Sequence, residues 1–183
     1  MARASVRARG TGKALAIGSV DPRLMDEPIE YLEAEHYRLR AVLSMLERLG
    51  SETRSDVRAA TAQLVVDFIR SDLALHVTDE EEGLFPLLRM RCEISDGLDR
   101  ILKRVAGEPA RSSATCAAVA HRLESARPDQ AIDGGLRIAI ESFVESQRRL
   151  LALEDTSVLP LARQRLTDAD QRWLSQHISE RRQ

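Results

Sequence analysis

The chain has 183 residues, enough for one domain with a sizeable hydrophobic core. Its formal net charge of -2 offers no broad basic field for nucleic acid, and no apolar run approaches the length of a membrane span. Charged residues make up 31% and aromatics only 3%, and Ala, Leu, Arg and Glu dominate over few Gly and Pro, which favours helices over sheets.

Residues 1–25 read as a flexible basic N-terminal arm. The first twenty carry Arg3, Arg7, Arg9 and Lys13 with no acid, and the apolar part after Lys13 is short for a secretory signal. Residues 26–183 read as the folded unit. Asp26 is the expected N-cap of a first helix, with Pro28 just inside it. Ile29, Leu32, His36, Leu39, Leu43 and Leu46 then step by three and four until Gly50 closes the helix. His36 therefore lies on an apolar seam.

A second helix is expected from about Ser55 to Arg91, bent near Asp72. Its inward stripe contains Ile69, Leu73, Leu84 and Leu87, and His76 and Glu80 share that stripe, about 40° apart. An imidazole and a carboxylate placed in a core need hydrogen bonds, each other or a metal ion. The neighbouring Asp79, Glu81 and Glu82 read as a solvated flank.

The third helical region starts with Leu98, Ile101, Leu102 and Val105, breaks at Gly107-Glu108-Pro109, and resumes through Cys116 and Val119 to about Ser125. Arg127-Pro128-Asp129 is a turn. A fourth helix follows to about Arg165, weakened near Gly134-Gly135, with Ile140, Phe143, Leu150, Glu154, Val158 and Leu161 on one face. Thr167-Asp168-Ala169-Asp170 is a capping box with Asp in the acidic place, opening a short last helix. Cys92 and Cys116, far apart and in no C-x-x-C arrangement, read as reduced, buried thiols of a cytoplasmic protein. The fold class is all-α: an antiparallel up-down four-helix bundle with a short extra C-terminal helix.

An internal repeat relates the halves. At an offset of 74, His76, Glu80, Leu84, Pro86 and Leu87 fall on Leu150, Glu154, Val158, Pro160 and Leu161. At an offset of 73, His36 falls on Pro109. Four mid-helix sites should then meet in the core, with His36, His76 and Glu80 from the first half and Pro109, Leu150 and Glu154 from the second. His121 stands too far along its helix to replace a missing imidazole, and His177 is expected at the surface. Gln147, one turn before Leu150, could line the vacated pocket.

The segments LEAEHYRL around His36, LHVTDEEEGLFPLLRMRC around His76 and Glu80, and RRLLALEDTSVLPLARQRLT around Glu154 resemble the hemerythrin-like (HHE cation-binding) family over roughly residues 27–165. The resemblance implies a four-helix bundle around non-haem iron that handles oxygen, redox state, iron or nitric oxide. It implies terminal imidazole ligands at His36 and His76 and bridging carboxylates at Glu80 and Glu154. Pro109 and Leu150 depart from it, standing where the family pattern has two further histidines of one iron.

The surviving set suits one ion, iron first, with zinc or manganese accepting the same groups. The expected role is oxygen, redox or iron sensing or binding, with a small ligand such as oxygen and an unidentified protein partner. A metal-free structural or interaction bundle is the alternative. No Gly-rich phosphate loop, G-x-S-x-G or Cys/His nucleophile pair is present, and an oxidase- or peroxidase-like enzyme needs an open iron position and a substrate pocket that the sequence does not show, so no enzyme activity is expected. By the repeat, Pro109→His with Leu150→His should recreate a two-ion site.

Overall fold

The structure, a computed structural model, describes residues 17–127 and 129–182. Among them there are helices and no strands. Of the expected arm, residues 1–16 lie outside the described residues. From Ile17 onward the chain lies against the bundle: Val20 is buried, and Pro22–Asp26 forms a 3-10 turn whose N-cap is Asp21.

The first bundle helix is α1, Pro28–Leu49. Its N-cap is Glu27 rather than Asp26, without a side-chain cap, because Asp26 is taken up by the preceding 3-10 turn. The second bundle helix is a chain of pieces: α2 (Ser55–Arg70), α3 (Asp72–Thr78), a π-helical segment Asp79–Leu84, and α4 (Phe85–Arg91). The expected bend falls at Ser71, whose hydroxyl and amide both bond to the Asp67 carbonyl.

The third comprises α5 (Leu98–Ala106), a one-turn 3-10 segment Pro109–Arg111, and α6 (Ser113–Ser125). The fourth is α7 (Gly134–Leu153), a second π-helical segment Glu154–Val158, and α8 (Leu159–Arg165). Gly134-Gly135 does not weaken this helix from within; it begins there, capped by the Asp133 side chain on the Leu136 amide. The last helix, α9 (Asp168–Glu180), opens with the expected Thr167/Asp170 capping box.

In the bundle, α1 packs on α2 and α7, α2 on α6, and α6 on α7, which closes the four-helix ring. Helix α9 lies outside it, against α1 and the first π segment. That approach is close: a Cβ at Gly83 would meet Leu174 Cδ1 at 2.7 Å.

Both π segments have the same cause. Pro86 and Pro160 lack an amide hydrogen and crowd the carbonyl four residues back, so the α-helical ladder cannot run through unbroken. The turn widens instead. The Phe85 amide reaches back five residues to the Glu80 carbonyl, and the Leu159 amide reaches the Glu154 carbonyl in the same way. Each proline thus places one core carboxylate on the widened turn.

Two apolar clusters fill the interior. One contains Leu32, Leu84, Leu88, Leu150, Val158 and Leu174; the other contains Leu43, Leu46, Val66, Leu123, Val144 and Leu151. His36, His76, Glu80 and Glu154 form a buried polar layer on helices that contribute to both.

Candidate metal centre

The structure brings together His36, His76, Glu80 and Glu154. One nitrogen or oxygen from each lies within 4.8 Å of all the others, and all four residues are buried. His36 comes from α1, His76 from α3, and the two glutamates from the two widened turns. His36 Nε2 is 3.6 Å from Glu154 Oε2, and His76 Nε2 is 3.6 Å from Glu80 Oε1. The imidazole centroids are 5.0 Å apart, edge to face.

A separation of 3.6 Å is too long for a hydrogen bond. Nitrogen and oxygen ligands about 2.0–2.2 Å from one shared ion lie about 3–4 Å from each other, which matches these two pairs, while the set as a whole, spread over up to 4.8 Å, would draw in slightly around an ion. His36 Nε2 and Glu80 Oε1 are buried and have no hydrogen-bond partner. Orphaned donors and acceptors in a core are costly, and a common cation is the partner these atoms fit.

The far sides of both rings are fixed. Glu35 Oε2 lies 3.0 Å from His76 Nδ1, and Asp155 Oδ1 lies 2.6 Å from His36 Nδ1. A carboxylate on Nδ1 selects the tautomer with Nε2 free to ligate and makes that nitrogen a better donor. Glu35 in turn accepts from the Tyr31 hydroxyl at 3.1 Å and from Arg182 at 3.2 Å, and Asp155 is paired with Arg40.

Arg111 is the second cationic component of the layer. Its Nη1 donates to Glu80 Oε2 and, at 3.1 Å, to Glu154 Oε1. Its guanidinium lies over the Phe85 ring, 5.1 Å from the centroid. Burial works against its charge, but Glu80 and Glu154 more than restore it, so the guanidinium stays protonated.

The same charges divide the titration of the cluster. Burial disfavours the His76 cation, yet Glu80, Glu35 and Glu154 outweigh that and lift it to about 9. Burial also opposes charge on Glu80, but His76, Arg111 and His36 hold its carboxyl below the ordinary value. Burial and the neighbouring Glu80 charge push Glu154 well up. Binding of a divalent ion here is therefore coupled to proton release, from the His76 ring first.

The second half of the core differs from the expectation. Pro109 does not stand at the level of the cluster facing inward; it is exposed. The 3-10 turn it starts shifts the register, so Ala110 and Arg111 are the buried residues. A histidine at 109 would start from a surface position, so Pro109→His with Leu150→His no longer follows as a route to a second ion. Leu150 is buried as expected. Gln147 does line this region: its amide donates to the Ala110 carbonyl at 3.1 Å, and the Ser146 hydroxyl accepts from the Ala110 amide at 3.0 Å. These bonds tie the broken third helix to α7.

Asp79 is likewise not a solvated flank. It is fully buried, and Arg181 and Arg182 hold it from α9's C-terminal end at 2.9 and 2.7 Å. Glu81 and Glu82 are exposed as expected. His121 is exposed, and His177 stacks on Trp173. Cys92 and Cys116 are unpaired and half-buried rather than buried.

Glu35, Asp155 and Arg111 escaped the sequence reading. The first two reach their imidazoles from 41 and 119 residues away, a relation that helical periodicity does not carry. For Arg111 there was a signal: a proline that starts a new turn re-aims the residues directly after it, and Arg111 stands two beyond Pro109.

Among the described residues, no helix is long and apolar enough to cross a membrane. A search of curated proteins gave no match. The family model described as the hemerythrin HHE cation binding domain matches residues 27–162, which takes in every residue of the cluster and Arg111.

Proposed function

The chain belongs to the hemerythrin HHE cation binding domain family, and we propose that its core binds one divalent metal ion, iron foremost, as the sensing or binding element for oxygen, redox state or iron. The observation that carries this is the paired orientation of two imidazoles. Each has Nδ1 tied to a carboxylate and Nε2 turned towards a core glutamate oxygen 3.6 Å away. A structural core histidine needs one hydrogen-bond partner and no such convergence.

In this reading His36 Nε2, His76 Nε2, Glu80 Oε1 and Glu154 Oε2 are the ligand atoms. Two imidazoles with carboxylate oxygens suit Fe(II), and zinc or manganese accept the same donors. Glu35 and Asp155 hold the rings in orientation before the ion arrives, and His76 offers Nε2 once an ion displaces its proton. The apolar clusters that share these helices keep bulk water from the layer. When bound, iron supplies one-electron redox chemistry and a place for a small ligand such as oxygen. The role is binding and signalling rather than turnover, with a protein partner reading the state of the bundle.

A second reading has one observation in its favour. Arg111 pairs with both core carboxylates, so the bundle closes on itself without a metal and could serve as a structural or interaction module.

Metal content separates the two. Protein expressed with added iron and purified anaerobically should carry close to one metal ion per chain by plasma mass spectrometry. His36→Ala and His76→Ala should each lose it. A folded protein with no metal, unable to take up iron, zinc or manganese, leaves the metal-free module.

A further inference from the structure

The four oxygens of Glu80 and Glu154 fall into two pairs. Glu80 Oε1 and Glu154 Oε2 each lie 3.6 Å from an imidazole Nε2. Glu80 Oε2 and Glu154 Oε1 face the other way and converge on one atom, Arg111 Nη1. Each carboxylate therefore spans two cation positions, one bounded by imidazoles and the other held by a guanidinium nitrogen.

We propose that Arg111 is the second cation of this centre, a covalently supplied charge that fixes its capacity at one metal ion. The proposal rests on the metal-binding reading above and goes beyond it by naming the residue that sets the number of ions.

Three further features support the assignment. The Arg111 side chain is buried, and its guanidinium is seated on Phe85. The segment that delivers it is anchored on both sides of Ala110's peptide group by Ser146 and Gln147, so the guanidinium is not a surface arm that swings aside. The third feature is composition. Arg111 Nη1 meets carboxylate oxygens of Glu80 and Glu154, and its Nε donates to Glu81 Oε1 at 3.3 Å, so among the described residues the polar partners of this guanidinium are carboxylates and none is an imidazole.

The physical consequence concerns charge. Two buried carboxylates without a cation are strongly unfavourable, and a core that depends on metal for both would be unstable whenever metal is scarce. A resident guanidinium neutralises one carboxylate equivalent permanently. The imidazole side alone then responds to metal, and the fold persists in either state. Removing the guanidinium should undo both properties: the core should become metal-dependent, and the vacated oxygens should become available to a second ion.

Three proteins test this: the full-length wild type, Arg111→Met, which keeps the length and apolar body of the side chain, and Arg111→Lys, which keeps the charge. Each is stripped with chelator and titrated with Mn(II). Bound metal is counted after desalting, the bound spins are read by electron paramagnetic resonance, and thermal unfolding is followed with and without the ion. The wild type should hold one isolated Mn(II) even with excess metal, and should stay folded after stripping. Arg111→Met should unfold at a lower temperature when stripped, should recover more of its stability from Mn(II) than the wild type does, and should bind up to two ions with a spin-coupled signal. Arg111→Lys should stay at one.

Two ions in the wild type would overturn the proposal. So would an Arg111→Met protein that folds and still binds no more than one ion in excess Mn(II). Should Arg111→Met fail to fold in any condition, the wild-type spin signal and the Arg111→Lys stoichiometry still decide. No ion in the wild type, by contrast, would remove the metal-binding reading itself.

Discussion

At the scale of single residues, orientation is the limiting quantity. His36 and His76 reach the core because helical spacing puts them there, but an imidazole on an apolar seam can turn about its own bonds. Glu35 and Asp155 remove that freedom. Partners of this kind change metal affinity by about 10–100-fold when lost. Glu35→Gln should therefore weaken Mn(II) or Zn(II) binding by about tenfold or more in competition with a chelating dye, while helix content stays the same. Unchanged affinity would mean that Glu35 serves only to anchor Tyr31 and Arg182. The cluster of His36, His76, Glu80 and Glu154 was legible in the sequence, because it depends on period and on the internal repeat, both one-dimensional signals. Its supports were not, since the Glu35–His76 and Asp155–His36 pairs exist only once separate helices are side by side. Arg111 fell between these cases: the repeat pointed to a gap but aligned it with Pro109, two residues before the side chain that pairs with Glu80 and Glu154.

At the scale of elements, the broken third helix and the two widened turns share one origin. Prolines at 86, 109 and 160 each interrupt an amide ladder, and each interruption lies beside a polar group of the core layer. The breaks at Gly107-Glu108-Pro109 and near Asp72 could be read from Gly and Pro alone. The π segments could not, because a turn with one extra residue leaves the composition of the helix unchanged and only shifts its phase. The first of these segments also carries Gly83, against which Leu174 of α9 is seated. A methyl group there meets the far end of a flexible leucine, so the fold should survive with strain. Gly83→Ala should cost about 1–3 kcal/mol in denaturant unfolding. Leu174→Val in the Gly83→Ala background should recover part of it, and no recovery would place the strain in the backbone of the widened turn instead.

At the scale of the whole molecule, α9 holds the second bundle helix at both of its own ends. Near its start Asp170 takes two bonds from Arg91, at 2.8 and 2.9 Å, and caps the turn with Thr167. Past its end Arg181 and Arg182 hold Asp79, and Arg182 also reaches Glu35, the support of His76. Arg91 is the leading cause that keeps the Asp170 carboxyl far below its ordinary value, with the Thr167 contacts adding to it. A carboxyl whose value is lower in the folded chain stabilises fully above its unfolded value of about 3.9 and loses that contribution as pH falls further. Asp170→Asn should therefore be about 1–2 kcal/mol less stable than the wild type at pH 7 and at pH 5, with the gap closing below about pH 4. A gap that stayed constant down to pH 2.5 would assign the loss to the helix cap rather than to the charged pair.

A π turn is arithmetically an α turn with one residue inserted, and each residue of an α-helix advances the chain by about 100°. The two glutamates thus sit at phase jumps, where side chains before and after follow different rulers. His76 and Glu80 obey the count that begins at Asp72, whereas Phe85, Leu87 and Leu88 obey a later one. Deleting a single residue from Asp79–Leu84 would remove the extra residue while Pro86 stayed, and would rotate one half of the helix against the other. Either the apolar seam or the face with His76 and Glu80 would then leave the core. Chain length at these two points is as much a part of the centre as the identity of its side chains.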